Sequence, residues 1–267
     1  MTFLCQEMAA VGSDVANIAA VAATGATPRR RFRRGDKVAE AIARDIIRRI
    51  GVERLPPGTQ LAPEAKMLEE YGVGRGSLRE ALRILEVHGL ISIRSGPRGG
   101  PTVDQVHTEN FGRMSTLYFQ MDGMTFEELI EARLITEPMM ARLAAERRDE
   151  QLVAEFDRLD GEVPADEDAY VRHCAEFHQL VALASGNRIM RLFGQSLADI
   201  LNDRLSSVLF PKSRRGDVVA VHKAIAKAIS AGDAEQAEQS MRDHMLEYAA
   251  YVRRRHPSLM REVVDWR

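Results

Sequence analysis

The sequence predicts a mainly α-helical protein in two parts, a small head of three helices and a β-hairpin followed by an all-helical bundle. Three observations carry that expectation. Apolar residues recur at helical spacing through most of the 267-residue chain. The period changes only near residues 90–106, where the β-like runs "LISIRSG" and "GPTVDQV" flank the glycine-rich stretch "SGPRGG". The formal charge also reverses: residues 29–104 hold 16 Lys+Arg against 10 Asp+Glu, net +6, while residues 105–267 hold 21 against 27, net −6. A basic head on an acidic body reads as a polyanion-binding module joined to a part that binds no polyanion.

The elements follow in order. Residues 1–34 read as a mobile extension: the first 28 are Ala-rich with no Lys or Arg, unlike a secretory signal, and Arg29 to Arg34 ("RRRFRR") offers salt-screened attraction to a DNA backbone. In "DKVAEAIARDIIRRIG", Val38, Ile42, Ile46 and Ile47 mark a first helix closed by Gly51. "RLPPGTQLAPE" breaks the chain, and a second helix runs from Pro63 through Met67 and Leu68 to about Tyr71. Gly72 and Gly74 bracket a tight turn before the third helix. With the hairpin this makes a winged helix-turn-helix over residues 35–104. Residues 105–123 form a connecting helix. In the bundle, residues 124–255, Thr125 and Glu128 make a capping box before "FEELIEARLITEPMMARLAAER", and further helices are expected at 149–159, 166–185, 188–208, 214–230 and 234–254. Gly186-Asn187 and Gly232-Asp233 each pair a helix-ending glycine with a helix-starting cap. Residues 256–267 are left as a tail.

The third helix places Leu78, Ala81, Leu82 and Leu85 on one side and Arg75, Gly76, Arg79 and Arg83 on the other. An isolated helix of this kind has an ordinary solvated face. A glycine-bearing turn after a short helix, however, is the geometry that sets a second helix into the DNA major groove, its first residues at the base edges. Arg75 is then placed to reach guanine O6 and N7, Ser77 to donate to phosphate or base, and Arg79 to hold the backbone or a second guanine. Gly74 and Gly76 leave room for the helix N-terminus to approach phosphate. In the hairpin, Arg94, Ser95, Gly96 and Arg98 form a wing suited to a narrow groove.

Residues 37–104 resemble the DNA-binding domain of the GntR family of bacterial transcription regulators. The resemblance rests on "LPPGTQL" (Leu55 to Leu61), Glu64, "YGVGRGSLREAL" (Tyr71 to Leu82), "LEVHGLI" (Leu85 to Ile91) and Gly96, Gly99 and Gly100. It implies that Arg75 and Arg79 belong to the recognition helix and that the wing tip enters the minor groove. One departure is Ala65, where the family commonly has Arg, so the operator is not expected to match that of the best-known relatives.

Three histidines in the acidic half sit on apolar stripes of three helices: His178 with Tyr170, Cys174 and Val181; His222 with Val218, Ile225 and Ile229; His244 with Met241, Tyr248 and Val252. One such residue is usually a hydrogen-bonded core histidine. Three converging imidazoles make a divalent-metal site. The segments "EARLITEPMMARLAAER", "AEFHQLVALASGNRIM", "VHKAIAKAISAGDAEQA" and "RDHMLEY" are similar to the effector-binding FCD domain of the FadR-like branch of that family. The resemblance implies a metal held by His178, His222 and His244, with Cys174 where metal-binding members have an aspartate. A thiolate ligand one turn before His178 would favour zinc; alternatively a small buried thiol has replaced a ligand and leaves a three-histidine site or none. It further implies a small carboxylate effector. Arg133 is a candidate clamp, its alternative role a pair with Glu137 at i+4; Asn187 is a second candidate, or only an N-cap. His173 is expected to be exposed.

The function expected is a homodimeric, ligand-responsive regulator binding a palindromic double-stranded DNA operator, most often a repressor in such families. Two cysteines, Cys5 and Cys174, exclude a disulfide framework and point to a reducing cytoplasm, and no apolar run reaches the roughly 18 residues that span a bilayer. Two rivals remain. A zinc hydrolase would use the three histidines but lacks a general base, because Glu176 projects about 160° away from His178. An effector-independent DNA-binding protein would show little sequence preference.

Overall fold

The computed structural model describes residues 38–94, 96, 99–159, 163–164, 166–205 and 210–265. The chain divides into two compact units between Val106 and His107.

The first unit comprises α1 (Val38–Val52), α2 (Glu64–Tyr71), α3 (Arg75–Val87) and the antiparallel strands β1 (Ile91–Arg94) and β2 (Gly100–Val103). Its core is a single cluster of Ile42, Ala43 and Ile46 from α1, Met67 and Tyr71 from α2, Leu78, Ala81, Leu82 and Leu85 from α3, and Ile91. Val38 and Ile47, read as part of the α1 stripe, stay 36% and 37% exposed. A helix turns 100° per residue, so Ile42, Ala43 and Ile46 fill the inward arc and Ile47 overshoots it. A buried polar tie reinforces the packing: Tyr71 donates its hydroxyl to Asp45 Oδ2 at 3.0 Å, and Arg48 donates to Oδ1 at 2.7 Å. α2 stops at Gly72, in the left-handed region at φ +63°, whose N–H caps the Leu68 carbonyl. Three residues later, at Arg75, α3 begins.

The hairpin register pairs Ile91 with Val103 and Arg94 with Gly100. β2 has a second neighbour that periodicity did not reveal. Gly58 donates its N–H to the Val103 carbonyl, Val103 donates to Thr59, and Leu61 donates to Pro101, at 2.8, 2.9 and 2.8 Å. The proline-rich break thus doubles as an edge to the hairpin.

The second unit comprises α4 (Thr108–Asp122), α5 (Phe126–Arg147), α6 (Glu150–Arg158), α7 (Glu167–Ala184), α8 (Arg188–Leu205), a 3₁₀ turn at Lys212–Arg214, α9 (Arg215–Ala231), α10 (Ala234–Arg255) and α11 (Pro257–Met260). α5 is central and packs against α7, α8, α9 and α10. Thr125 and Glu128 close the expected capping box at its start, and Asp233 caps α10 by accepting from Gln236 N at 3.0 Å. Beyond α10 the chain turns back: Phe126 donates its N–H to Glu262 O at 3.1 Å, Val264 donates to Met124 O at 2.9 Å, and Met260 and Val264 are buried with Phe126, Leu129 and Ile130. Residues 257–265 are therefore tied to the start of α5, with Met260 and Val264 in the core. No helix among the described residues is long and apolar enough to cross a membrane.

Candidate functional site

The N-terminal face of α3 is open. Arg75, Gly76, Arg79 and Arg83 are exposed and Ser77 is half-buried, while Leu78, Ala81, Leu82 and Leu85 anchor the opposite face in the core. Gly74 caps the helix with no side-chain hydrogen bond, leaving first-turn amides for an outside acceptor. A Cβ built on Gly74 or Gly76 would meet nothing within 4 Å. No packing demand among the described residues accounts for these two glycines, and Gly76, within the first turn, favours the helix less than alanine would. Arg79 lies 3.5 Å from Glu64 at the start of α2. Arg94 is exposed at the end of β1, and Gly96 at the wing tip has φ +110°, a value that L side chains rarely adopt. Ser95, Arg98 and the basic run Arg29 to Arg34 lie outside the described residues.

In the second unit, α7, α9 and α10 bring His178, His222 and His244 together, one nitrogen of each within 4.8 Å of the others. Nε2 of His222 lies 3.1 Å from Nε2 of His244, and Phe177 stacks on the His222 ring with centroids 4.0 Å apart. Burial, then the neighbouring His178, lowers the pKa of His244 to about 3. Burial, then His178 and His244, holds His222 well below the usual imidazole range. Both rings are thus neutral near pH 7 and carry the lone pairs that a metal needs. Nδ1 of His222 is buried without a partner.

Glu137, on α5, is the residue that sequence reasoning saw only as a mate for Arg133. Its Oε2 lies 2.5 Å from Nδ1 of His178, and its Oε1 accepts from Nε of Arg133 at 2.5 Å. Burial alone would raise this carboxyl, but Arg133 and then His178 pull it well below the usual carboxylate range. A carboxylate behind a ligating imidazole fixes the ring and raises its basicity. The three imidazoles fit a divalent ion of the zinc type, for which three protein nitrogens leave one position for an exogenous oxygen.

The histidines open onto a cavity of about 80 Å³ that Arg133, Tyr170, Cys174 and Tyr248 also line. Cys174 has a partner other than the histidines. It lines the cavity but stands outside the histidine group, its thiol hydrogen-bonded with Tyr170, and burial pushes its pKa up to about 11. In the metal-free chain it is a thiol at neutral pH. Asn187 takes its alternative role: Oδ1 accepts from Ile189 N and Met190 N at 3.1 and 3.2 Å, so it caps α8, and it is not among the residues that line the cavity. Arg133 faces the cavity but takes the i+4 pair with Glu137. His173, expected to be exposed, is half-buried on a separate cavity of about 350 Å³ beside Lys223 and Lys227.

A winged helix-turn-helix with an open arginine face, carried with an all-helical domain that holds a histidine-lined cavity, defines a transcription regulator. Two family models match. "Bacterial regulatory proteins, gntR family" covers residues 38–99 and "FCD domain" covers residues 128–247. The chain carries a GntR-type helix-turn-helix domain and a C-terminal FCD domain. Curated relatives named "HTH-type transcriptional repressor NanR" include that of Enterobacter sp. (strain 638), 28% identical over 230 residues, and that of Salmonella newport (strain SL254), 29% identical over 230 residues. Each alignment spans 83% of this chain and 87% of the relative. Among solved structures, "Streptococcus agalactiae GntR" superposes with a TM-score of 0.58 at 25% identity, covering 79% of this chain and 99% of that one. The matching families and relatives are transcription regulators rather than enzymes, which removes the hydrolase reading.

Proposed function

We propose that this regulator is a cytoplasmic, homodimeric repressor that grips a palindromic operator and changes its grip when a small carboxylate joins a divalent metal, zinc, in the FCD domain. The observation that carries the DNA part is the sidedness of α3: the face bearing Arg75, Arg79 and Arg83 is exposed while the opposite face is core. Arg75 and Ser77 read base edges, Arg79 and Arg83 hold backbone, and the wing residues Arg94, Ser95, Gly96 and Arg98 follow the neighbouring groove. A two-fold operator needs two such helices about 34 Å apart, so a pair of chains is required. Apolar side chains left exposed on the helical unit, among them Tyr118, Met121, Ile135 and Ile189, support self-association there.

Support for the ligand part comes from His178, His222 and His244, which converge on one cavity with Arg133 on its wall, His222 and His244 being buried and neutral. A ligand alters DNA affinity only by binding the two conformations of the regulator unequally. Selection of bound duplexes from random DNA, then fluorescence anisotropy with and without zinc and a series of carboxylates, tests the whole reading. A two-fold consensus whose affinity moves at least severalfold with zinc plus a carboxylate is expected. Equal binding to every sequence at low salt would sink the regulator assignment, and indifference to zinc and all carboxylates would sink the effector site.

A further inference from the structure

The second unit contains two buried arginines near the histidine cavity, Arg133 on its wall and Arg215 stacked against the wall residue Tyr170, and their partnerships differ. Arg133, 7% exposed, is neutralised by Glu137, itself 4% exposed. Arg215, 4% exposed, opens α9 and is less well matched. Its Nη2 bonds Oε2 of Glu167 at 2.9 Å, but that carboxylate is 58% exposed and shares its charge with solvent. The Nε and Nη1 groups of Arg215 are buried without any acceptor. Its guanidinium lies 4.8 Å above the ring of Tyr170, and that same ring lines the cavity.

The helices set the distances. Tyr170, Cys174 and His178 are each one turn apart on α7, so Tyr170 stands about 12 Å along the axis from His178. On α9, Arg215 precedes His222 by seven residues, about 10 Å. Both helices thus run from an arginine end to a histidine end, and between the ends the wall is neutral: the Cys174 thiol, Val218 and Phe210. A single carboxylate at the histidines would leave the charge and the two spare donors of Arg215 unanswered, and unpaired buried donors of a cation are costly.

We propose that Arg215 sets the specificity of the cavity for molecules with two acidic ends, one directed to the three histidines and the other to the Tyr170–Arg215 end, so that the effector class is a small dicarboxylate or an acid of similar reach. This deepens the metal-and-carboxylate reading above and rests on it. The planar guanidinium suits a carboxylate, and a buried charge-assisted contact discriminates strongly against a ligand that lacks the second acid.

The test is calorimetric titration of the zinc-loaded full chain with succinate and with acetate. The wild type is expected to bind succinate about tenfold or more tightly than acetate. Arg215→Met should abolish that preference while zinc content and acetate affinity stay unchanged, and Arg215→Lys should restore part of it. Glu167→Gln, which keeps an oxygen acceptor for Nη2 of Arg215, should act in the opposite sense and tighten succinate severalfold, which decides the matter even if Arg215→Met does not fold. Zinc and acetate binding with a succinate-to-acetate ratio near one in the wild type, or a ratio untouched by either charge-changing variant, overturns the role of Arg215 alone. Failure of the wild type to bind zinc or either acid overturns the underlying reading, and this inference with it.

Discussion

Oε2 of Glu137 lies 2.5 Å from Nδ1 of His178, and the other oxygen of the same carboxylate accepts from Arg133. One side chain of α5 thereby orients an imidazole of the histidine cluster on α7 and neutralises a cation on the cavity wall. Glu137→Ala strands both partners in a dry interior. A loss of about 3–5 kcal/mol in urea unfolding is expected, the usual cost of breaking a buried charge pair. Glu137→Gln keeps the shape and should lower zinc affinity by about 10–100-fold, as measured by competition with a chromogenic chelator. Unchanged zinc affinity in that variant would show that the carboxylate does not tune the site.

His222→Ala removes one of the three converging nitrogens. Zinc content, measured by atomic emission after dialysis, should fall from about one per chain toward zero. Because a ligand that binds only the folded state stabilises it, chelator should lower the wild-type Tm and leave that of His222→Ala unmoved. Equal zinc content in both proteins would remove the histidines from the metal site.

Gly76 separates folding from DNA binding. A methyl group there meets nothing within 4 Å, and alanine favours a helix over glycine by up to about 1 kcal/mol. Gly76→Ala should therefore hold or raise Tm while weakening operator binding in anisotropy titrations. Arg75→Ala should cost about 1–3 kcal/mol of operator affinity and relax base preference at one position. Operator affinity that survives both changes would exclude this face of α3 as the reading surface.

Acid should expose the buried histidines. The folded pKa of His244 is about 3, against about 6.5 for an unfolded histidine, so below pH 6.5 the unfolded chain takes up a proton that the folded one refuses. Stability is unaffected by this residue above pH 6.5 and falls between pH 6.5 and 3, by at most about 1.4 kcal/mol per pH unit, with His222 acting in the same direction. Urea midpoints of the metal-free protein from pH 7 to 4 should show the decline, and His244→Ala should flatten it. An equal slope in that variant would rule the residue out as its source.

Met260 is 3% exposed and packs with Phe126 and Val264 at the start of α5. Met260→Ala should cost about 2–5 kcal/mol in unfolding of the helical unit. A change below about 0.5 kcal/mol would mean that the last turn contributes little to that core.

Much of this arrangement was legible as periodicity. The apolar side of α3 named its exposed side, and the stripes of three later helices named three inward histidines, because a helix that must bury one face records that face in its own residues. Glycine and cap pairs marked the ends of helices for the same local reason. Other features depend on segments far apart in the chain. Glu137 meets His178 across 41 positions, Phe126 meets Glu262 across 136, and residues 58–61 join β2 from within a stretch that reads as a loop. Cys174 shares the stripe of His178, yet its thiol turns to Tyr170 instead of the histidine group. The sequence alone determined which faces are buried and which residues could carry the chemistry; the tertiary structure decided which buried faces meet, and therefore that Arg133 is spent on Glu137 while Arg215 retains donors. Burial is encoded in local periodicity, whereas the pairing of charges depends on packing between helices that no local pattern specifies.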